Sequence, residues 1–111
     1  MRTSRFDLRQ AQPAHNGTIL SMPVLPEGVG APFEHAWGYL RAGGAMEAHS
    51  HPAHEVYFFH KGEGIVEVGD EQRVVGPGDV VEIPPDVPHT VRNHTDGELL
   101  WFALWWLPTQ A

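Results

Sequence analysis

The sequence of 111 residues contains no cysteine and only one lysine, Lys61. Without cysteine the chain cannot form a disulfide framework or a thiolate zinc site, so disulfide-stapled modules and cysteine-based structural zinc modules are excluded. Absent disulfides are typical of cytoplasmic proteins, and we expect that location.

Positive charge is also scarce. Seven Lys and Arg residues face fourteen Asp and Glu residues, for a net charge of −7. A nucleic-acid partner is not expected, because phosphates require a basic surface. The N-terminal 16 residues carry Arg2, Arg5 and Arg9 without a continuous apolar run, so they do not resemble a signal peptide. No apolar stretch is long enough to span a bilayer, so a membrane partner is not expected either.

Helical periodicity is missing as well, whereas glycine (12) and proline (10) are frequent. Such a composition favours short strands and tight turns. The sequence predicts strands at residues 18–22, 34–41, 55–60, 64–68, 72–75, 79–83, 87–94 and 98–107. We therefore predict an all-β sandwich or barrel in one domain, residues 1–111, with a barrel core at 34–107. Residues 1–16 form either a partly ordered arm or a strand that packs on the barrel or on a partner subunit.

The stretch from residue 43 to residue 62 carries the clearest chemical pattern. His49 and His51 are separated by one residue, so in an extended chain both imidazoles point to the same side. Pro52 interrupts the strand, and Glu55 opens the next one. Two imidazoles and a carboxylate suit one divalent transition metal, namely Fe, Mn, Ni, Co or Zn, better than Ca or Mg.

Spaced residues in this stretch and in a later one, residues 78–93, resemble the two motifs of the cupin family. The first motif is matched by Gly43, His49, His51, Glu55 and Gly62, and the second by Gly78, Pro84, His89 and Asn93. Asp86 stands where the family usually has glycine, and aspartate tolerates the turn conformation expected there. The resemblance implies a double-stranded β-helix, or jelly-roll barrel, with a metal held inside by His49, His51, Glu55 and His89. Such a ligand set leaves one or two positions for water or substrate.

Side-chain alternation suggests which other residues line the cavity. Tyr57 and Phe59 share the face of Glu55, so we expect them inside the barrel. Arg41 faces inward in only one of the two possible orientations of strand 34–41, where it would bind an acidic substrate. Glu47 is a candidate general base, although a solvated position at the barrel mouth is the alternative. His15, His35 and His94 lack ligand spacing and are expected at the surface, and the parity of His60 places it outside the barrel. His54, beside Glu55, is expected to point the other way, either into solvent or against a metal ligand.

The last predicted strand, residues 98–107, is apolar on both faces. One face must line the barrel, and which one is left open by the pattern. The other face needs a cover, either the N-terminal arm or a second subunit, because monomers seldom expose a large apolar patch. We expect a homodimer.

Two classes of function fit these observations. The first is a metal-dependent enzyme acting on a small organic acid, diketone or sugar-type substrate, since a bound metal stabilises negative charge on oxygen. A dioxygenase is favoured, followed by an isomerase, epimerase or lyase, because a histidine-rich site with open positions suits Fe(II) and O₂. The second is a non-catalytic module that binds or senses a small ligand. Cupin regulators usually carry a DNA-binding domain, which is not found in these residues, so the enzyme is preferred.

Overall fold

The structure is a computed structural model that describes residues 1–108, in which nine strands alternate with tight turns. In chain order the strands are β1 (Gln12–Ala14), β2 (Ile19–Met22), β3 (Glu34–Leu40), β4 (His54–Lys61), β5 (Gly64–Val68), β6 (Glu71–Val75), β7 (Val80–Ile83), β8 (His89–Arg92) and β9 (Leu99–Trp106). Most strands begin or end beside Gly, Pro or Asp, which favour turns or cannot donate to a sheet ladder.

The strands form two antiparallel sheets that face each other across one core. The larger sheet has the order β1-β2-β3-β9-β4-β7, and the smaller one has the order β6-β5-β8. The prediction of an all-β jelly-roll barrel is confirmed. Within residues 1–108 no helix is long and apolar enough to cross a membrane.

The histidine-rich segment between β3 and β4 differs from its prediction. Its extended geometry was expected to come from a strand, yet residues 45–52 contribute only two isolated bridges, Ala45 to Arg92 and His49 to His89. Pro52 has no N–H to donate, so the ladder cannot continue toward β4. The single bridge at His49 is enough to place its side chain directly opposite His89.

The orientation of β3, which the sequence left open, is decided by a close approach to β9. A Cβ on Gly38 would lie 2.3 Å from Cε2 of Trp101, so the indole ring occupies the space in front of this glycine. Consequently Ala36, Gly38 and Leu40 face the interior, and the residues of the other parity face outward. Arg41, which follows the strand on the outward parity, is exposed.

The same register decides which face of β9 points into the barrel. Trp101 and Ala103 are buried inside the barrel, whereas Phe102 and Leu104 lie on the outer face and are half-buried. The ring of Phe6 in the N-terminal arm packs against Trp37 and Tyr39, at centroid distances of 5.8 Å each. The arm therefore covers the outer face over β3, and its residues Gln12–Ala14 add an edge strand to the larger sheet.

Two motif residues have structural roles. The buried Asn93 amide donates to the carbonyls of Leu40, Arg41 and Gly97, and its oxygen accepts from the backbone N–H of Thr95. It therefore ties the loop after β3 to the loop between β8 and β9, a role that the sequence left open. Asp86 has a φ of 64°, and this left-handed turn explains why glycine is usual at that position.

Candidate metal centre

Four side chains from three parts of the chain meet inside the barrel. His49 and His51 come from the segment before β4, Glu55 lies on β4 and His89 lies on β8. One possible ligand atom from each residue lies within 4.8 Å of all the others, so the group could hold a metal ion. Glu55 and His89 are buried, and the other two histidines are half-buried. The structure thus brings together all four residues that the family resemblance indicated.

The hydrogen bonds of the three imidazoles determine which nitrogen faces the centre. The Nδ1 atom of His49 lies 2.9 Å from the carbonyl of Glu47, that of His51 3.0 Å from the carbonyl of Ala53, and that of His89 2.9 Å from the carbonyl of Val87. A carbonyl oxygen only accepts, so each Nδ1 carries a proton, and in the neutral imidazole, the form that binds a metal, each Nε2 then presents a lone pair. This arrangement, with Nδ1 held by an acceptor, is the usual one for a metal-binding histidine.

The Nε2 atoms lie close to a carboxylate that cannot donate to them. Nε2 of His51 is 2.9 Å from Oε1 of Glu55, and Nε2 of His89 is 3.4 Å from the same oxygen. The latter nitrogen is buried without a hydrogen-bond partner among the described residues. Lone pairs facing a carboxylate repel unless a cation lies between them. Metal–ligand distances of about 2.1 Å place neighbouring ligand atoms roughly 3.0–3.4 Å apart, so the donor set fits a divalent ion.

Burial lowers the pKa of one of the two half-buried histidines, and this favours metal binding. Desolvation lowers the pKa of His49 below its ordinary value, and the hydrogen bond to the Glu47 carbonyl only partly opposes this effect. A lowered pKa keeps the imidazole neutral at pH 7, which is the state that binds a metal.

A cavity of about 360 Å³ opens beside the cluster and is lined by three of its members, His49, His51 and Glu55. Its walls carry the rings of Tyr57, Trp101 and Trp105, and small residues of β3, β9 and the segment before β4 leave the space between them: Ala36, Gly38, Ala53 and Ala103. None of the residues that line it is Lys or Arg. A substrate in this cavity would therefore meet apolar and aromatic surfaces on most sides.

The four predicted pocket residues differ in where the structure places them. Tyr57 lines the cavity and is only 3% exposed, and burial together with Glu55 raises its pKa well above the ordinary value. Phe59 is buried in the core, 6.0 Å from the Trp101 ring centroid, and is not a lining residue. Arg41 and Glu47 are exposed and do not line the cavity either.

The cavity also contains a histidine for which the sequence pattern gave no ligand spacing. His15, in the turn between β1 and β2, lines the cavity, and its ring stacks on His49 at a centroid distance of 4.1 Å. His15 lies far from both motifs in the sequence, so no local spacing of residues could have indicated it. By contrast, His54 binds Glu82 outside the barrel, and His60 is exposed beside Trp37.

The fold and the site together define a class: an all-β barrel with an internal three-histidine, one-glutamate cluster that could hold one metal ion. The family model described as Cupin domain (Cupin_2) matches residues 37–106, and the chain belongs to this family.

Solved structures agree with this assignment. A Cupin 2 conserved barrel domain protein from Salinispora arenicola is 28% identical with a TM-score of 0.84, covering 96% of this chain and 88% of that one. The plu4264 protein from Photorhabdus luminescens is also 28% identical, with a TM-score of 0.80, and the match covers 94% of this chain and 86% of the other.

A curated relative is Dimethylsulfoniopropionate lyase DddQ from Ruegeria pomeroyi, which is 38% identical over 68 residues. The match covers 60% of this chain and 33% of the relative, so it spans about a third of that protein's length.

Proposed function

We propose that this protein is a metal-dependent enzyme that acts on a small organic acid. The observation that carries the proposal is the convergence of three Nε2 lone pairs and the Glu55 carboxylate, with no hydrogen-bond donor for the buried Nε2 of His89 among residues 1–108. We assign His49, His51, Glu55 and His89 as ligands of one divalent transition metal. Fe, Mn, Ni, Co and Zn all accept this donor set.

The cavity walls favour a particular kind of acid. Because no Lys or Arg lines the cavity, the substrate carboxylate has no fixed cation to bind, and the open positions of the metal are its natural site. The rings of Tyr57, Trp101 and Trp105 would then surround the rest of the molecule. Aromatic faces attract alkylated cations, so an acid with a positively charged tail suits these walls. Dimethylsulfoniopropionate has both groups.

Elimination is the reaction that we now place first, ahead of the dioxygenase that the ligand types alone favoured. The support is the lyase among the relatives, together with a proton-carrying group in the cavity, the Tyr57 hydroxyl. Burial and the Glu55 carboxylate raise the pKa of Tyr57. A bound divalent ion would supply a Lewis acid for the carboxylate and a positive charge next to Glu55 that opposes this rise and so favours ionised Tyr57. The ionised Tyr57 oxygen takes the proton from the carbon next to the carboxylate. The C–H electron pair becomes a carbon–carbon double bond, and the leaving group departs with the electrons of its own bond.

The test offers a panel of small acids to protein loaded in turn with each candidate metal. Product formation and oxygen uptake are both measured. We expect dimethylsulfoniopropionate, or another acid with a cationic leaving group at the β-carbon, to yield an unsaturated acid without oxygen uptake. Oxygen consumption with any acid or diketone would instead support the dioxygenase. Tight binding without turnover of any compound would support the sensing module.

We also propose a homodimer that forms through the outer face of β4 and β9. On this face Phe58 and Phe102 stack at 4.7 Å, and Val56 and Leu104 lie beside each other in register. All four are only half-buried, beyond the part of the sheet that the N-terminal arm covers. A self-complementary apolar sheet face suits two-fold pairing.

Light scattering should therefore give twice the chain mass of 12.3 kDa, and Leu104→Glu should produce monomers because a charge cannot be buried unpaired in the interface. The control is Val74→Glu, at a 60% exposed position on the other sheet. A wild-type monomer would contradict the proposal.

A further inference from the structure

The segment that carries His49 is held by the sheet on one side only. Its backbone exchanges two hydrogen bonds with His89, of 3.1 and 2.9 Å, and Met46 donates to the carbonyl of Val91 at 2.8 Å. The carbonyl of His51 also accepts from the backbone N–H of Asp86 at 2.8 Å, but residues 45–52 form no continuous ladder with a neighbouring strand. The opposite side of the segment faces the turn between β1 and β2.

This turn, residues 15–18, contacts the ligand segment through three side chains, and we call it the turn latch. The ring of His15 stacks on that of His49 with an interplanar angle of 27°. The amide of Asn16 donates to both carboxylate oxygens of Glu47, at 3.0 and 2.8 Å. The hydroxyl of Thr18 accepts from the backbone N–H of Glu47 at 2.9 Å.

The backbone of the turn latch is in a costly conformation. His15 and Asn16 have φ values of 50° and 58°, and Gly17 follows at 77°. Positive φ is unfavourable for residues other than glycine, and less so for asparagine than for most others. Thr18 offsets part of this cost, since its N–H and its hydroxyl both donate to the carbonyl of His15, at 3.2 and 2.7 Å. The conformation carries the His15 ring over His49.

From these contacts we propose that the turn latch is a positioning device for the ligand His49, with His15 as its main residue. The stacked ring restricts rotation of the His49 imidazole. Asn16 and Thr18 both bind Glu47, whose carbonyl accepts the Nδ1 proton of His49 at 2.9 Å and so aims Nε2 at the centre. The latch rests on the proposed metal site, because it orients a side chain whose purpose is to bind the ion.

The experiment measures binding of Co²⁺ and Zn²⁺ alone, by competition with a chelator, together with the visible spectrum of the Co²⁺ form. Outer groups that orient a metal ligand typically change affinity about 10- to 100-fold. We expect His15→Ala to weaken binding roughly tenfold and to alter the Co²⁺ spectrum. His15→Phe keeps a stacking ring and should stay within about threefold of wild type. The exposed His94 offers the matched control, since His94→Ala should change nothing.

A second variant distinguishes loss of the contacts from misfolding of the turn. Asn16→Gly removes the amide that binds Glu47, while glycine accepts the positive φ, and we expect binding to weaken about three- to tenfold. Wild-type affinity and spectrum in both His15→Ala and Asn16→Gly would overturn the latch and leave the metal site standing. Complete loss of metal in both His15→Ala and His15→Phe would also overturn it, because His15 would then be a ligand. A wild-type protein that binds neither ion would overturn the proposed function and the latch together.

Discussion

Replacing His89 by alanine should reduce the metal content of the purified protein from about one ion per chain to nearly none. His89 is only 2% exposed. Its Nε2 has no hydrogen-bond partner within residues 1–108, and the proposed ion would take that place. Alanine removes one of the four proposed ligands and leaves a buried gap in its place, so we expect the affinity for the ion to fall steeply. The backbone bridge between His49 and His89 needs no side chain, so the barrel itself should persist.

Elemental analysis of protein purified without added metal, supported by circular dichroism to confirm folding, measures this effect. His94→Ala is the matched control, because it removes an imidazole from the same region of the chain at an exposed position. Full metal content in the folded His89→Ala variant would show that the second motif contributes no ligand. Activity on the best acid of the panel should disappear together with the metal.

The second large effect is expected from Tyr57→Phe, which removes one buried hydroxyl and keeps the ring. A positioned group that transfers a proton typically contributes about 10²- to 10⁴-fold to the rate. We expect kcat to fall by that factor with little change in KM, since the ring still fills the cavity wall. Metal content should not change, because all four proposed ligands remain.

Steady-state kinetics on the acid that the panel identifies, with metal analysis of the same samples, make this measurement. Tyr39→Phe is the control, because its hydroxyl donates to Glu98 and Tyr39 is not among the residues that line the cavity. A Tyr57→Phe variant that retains wild-type turnover would exclude Tyr57 as the proton carrier. A variant that loses metal as well would mean that its hydroxyl supports the site through Glu55.

Several features could be predicted because their causes are local. Alternating apolar residues between Gly and Pro turns located the strands of the barrel to within a few residues, as β5 at Gly64–Val68 illustrates. Asp86 was expected in a turn that usually contains glycine, and its φ of 64° agrees. The spacing of the two motifs indicated the family, which the match over residues 37–106 confirms.

Other features depend on contacts between distant parts of the chain. From the sequence, either face of β3 and of β9 could line the barrel interior. The fit of the Trp101 ring over Gly38 decides which face does so. Likewise, Arg41 and Glu47 were reasonable cavity residues by type, but each sits where its neighbours place it in solvent. The position of His15 over His49 requires the unusual backbone of the β1–β2 turn, which composition does not reveal.

The amino-acid sequence alone indicated the family, the all-β barrel and, through the resemblance of its two motifs, the four side chains of the cluster, because motif spacing and apolar alternation are local properties of the chain. Only the tertiary structure decided which Nε2 atoms face one another, which walls enclose the cavity and which turn covers His49. These depend on packing between strands that are remote in sequence, where close approaches such as Gly38 to Trp101 select one arrangement among several that the pattern allows.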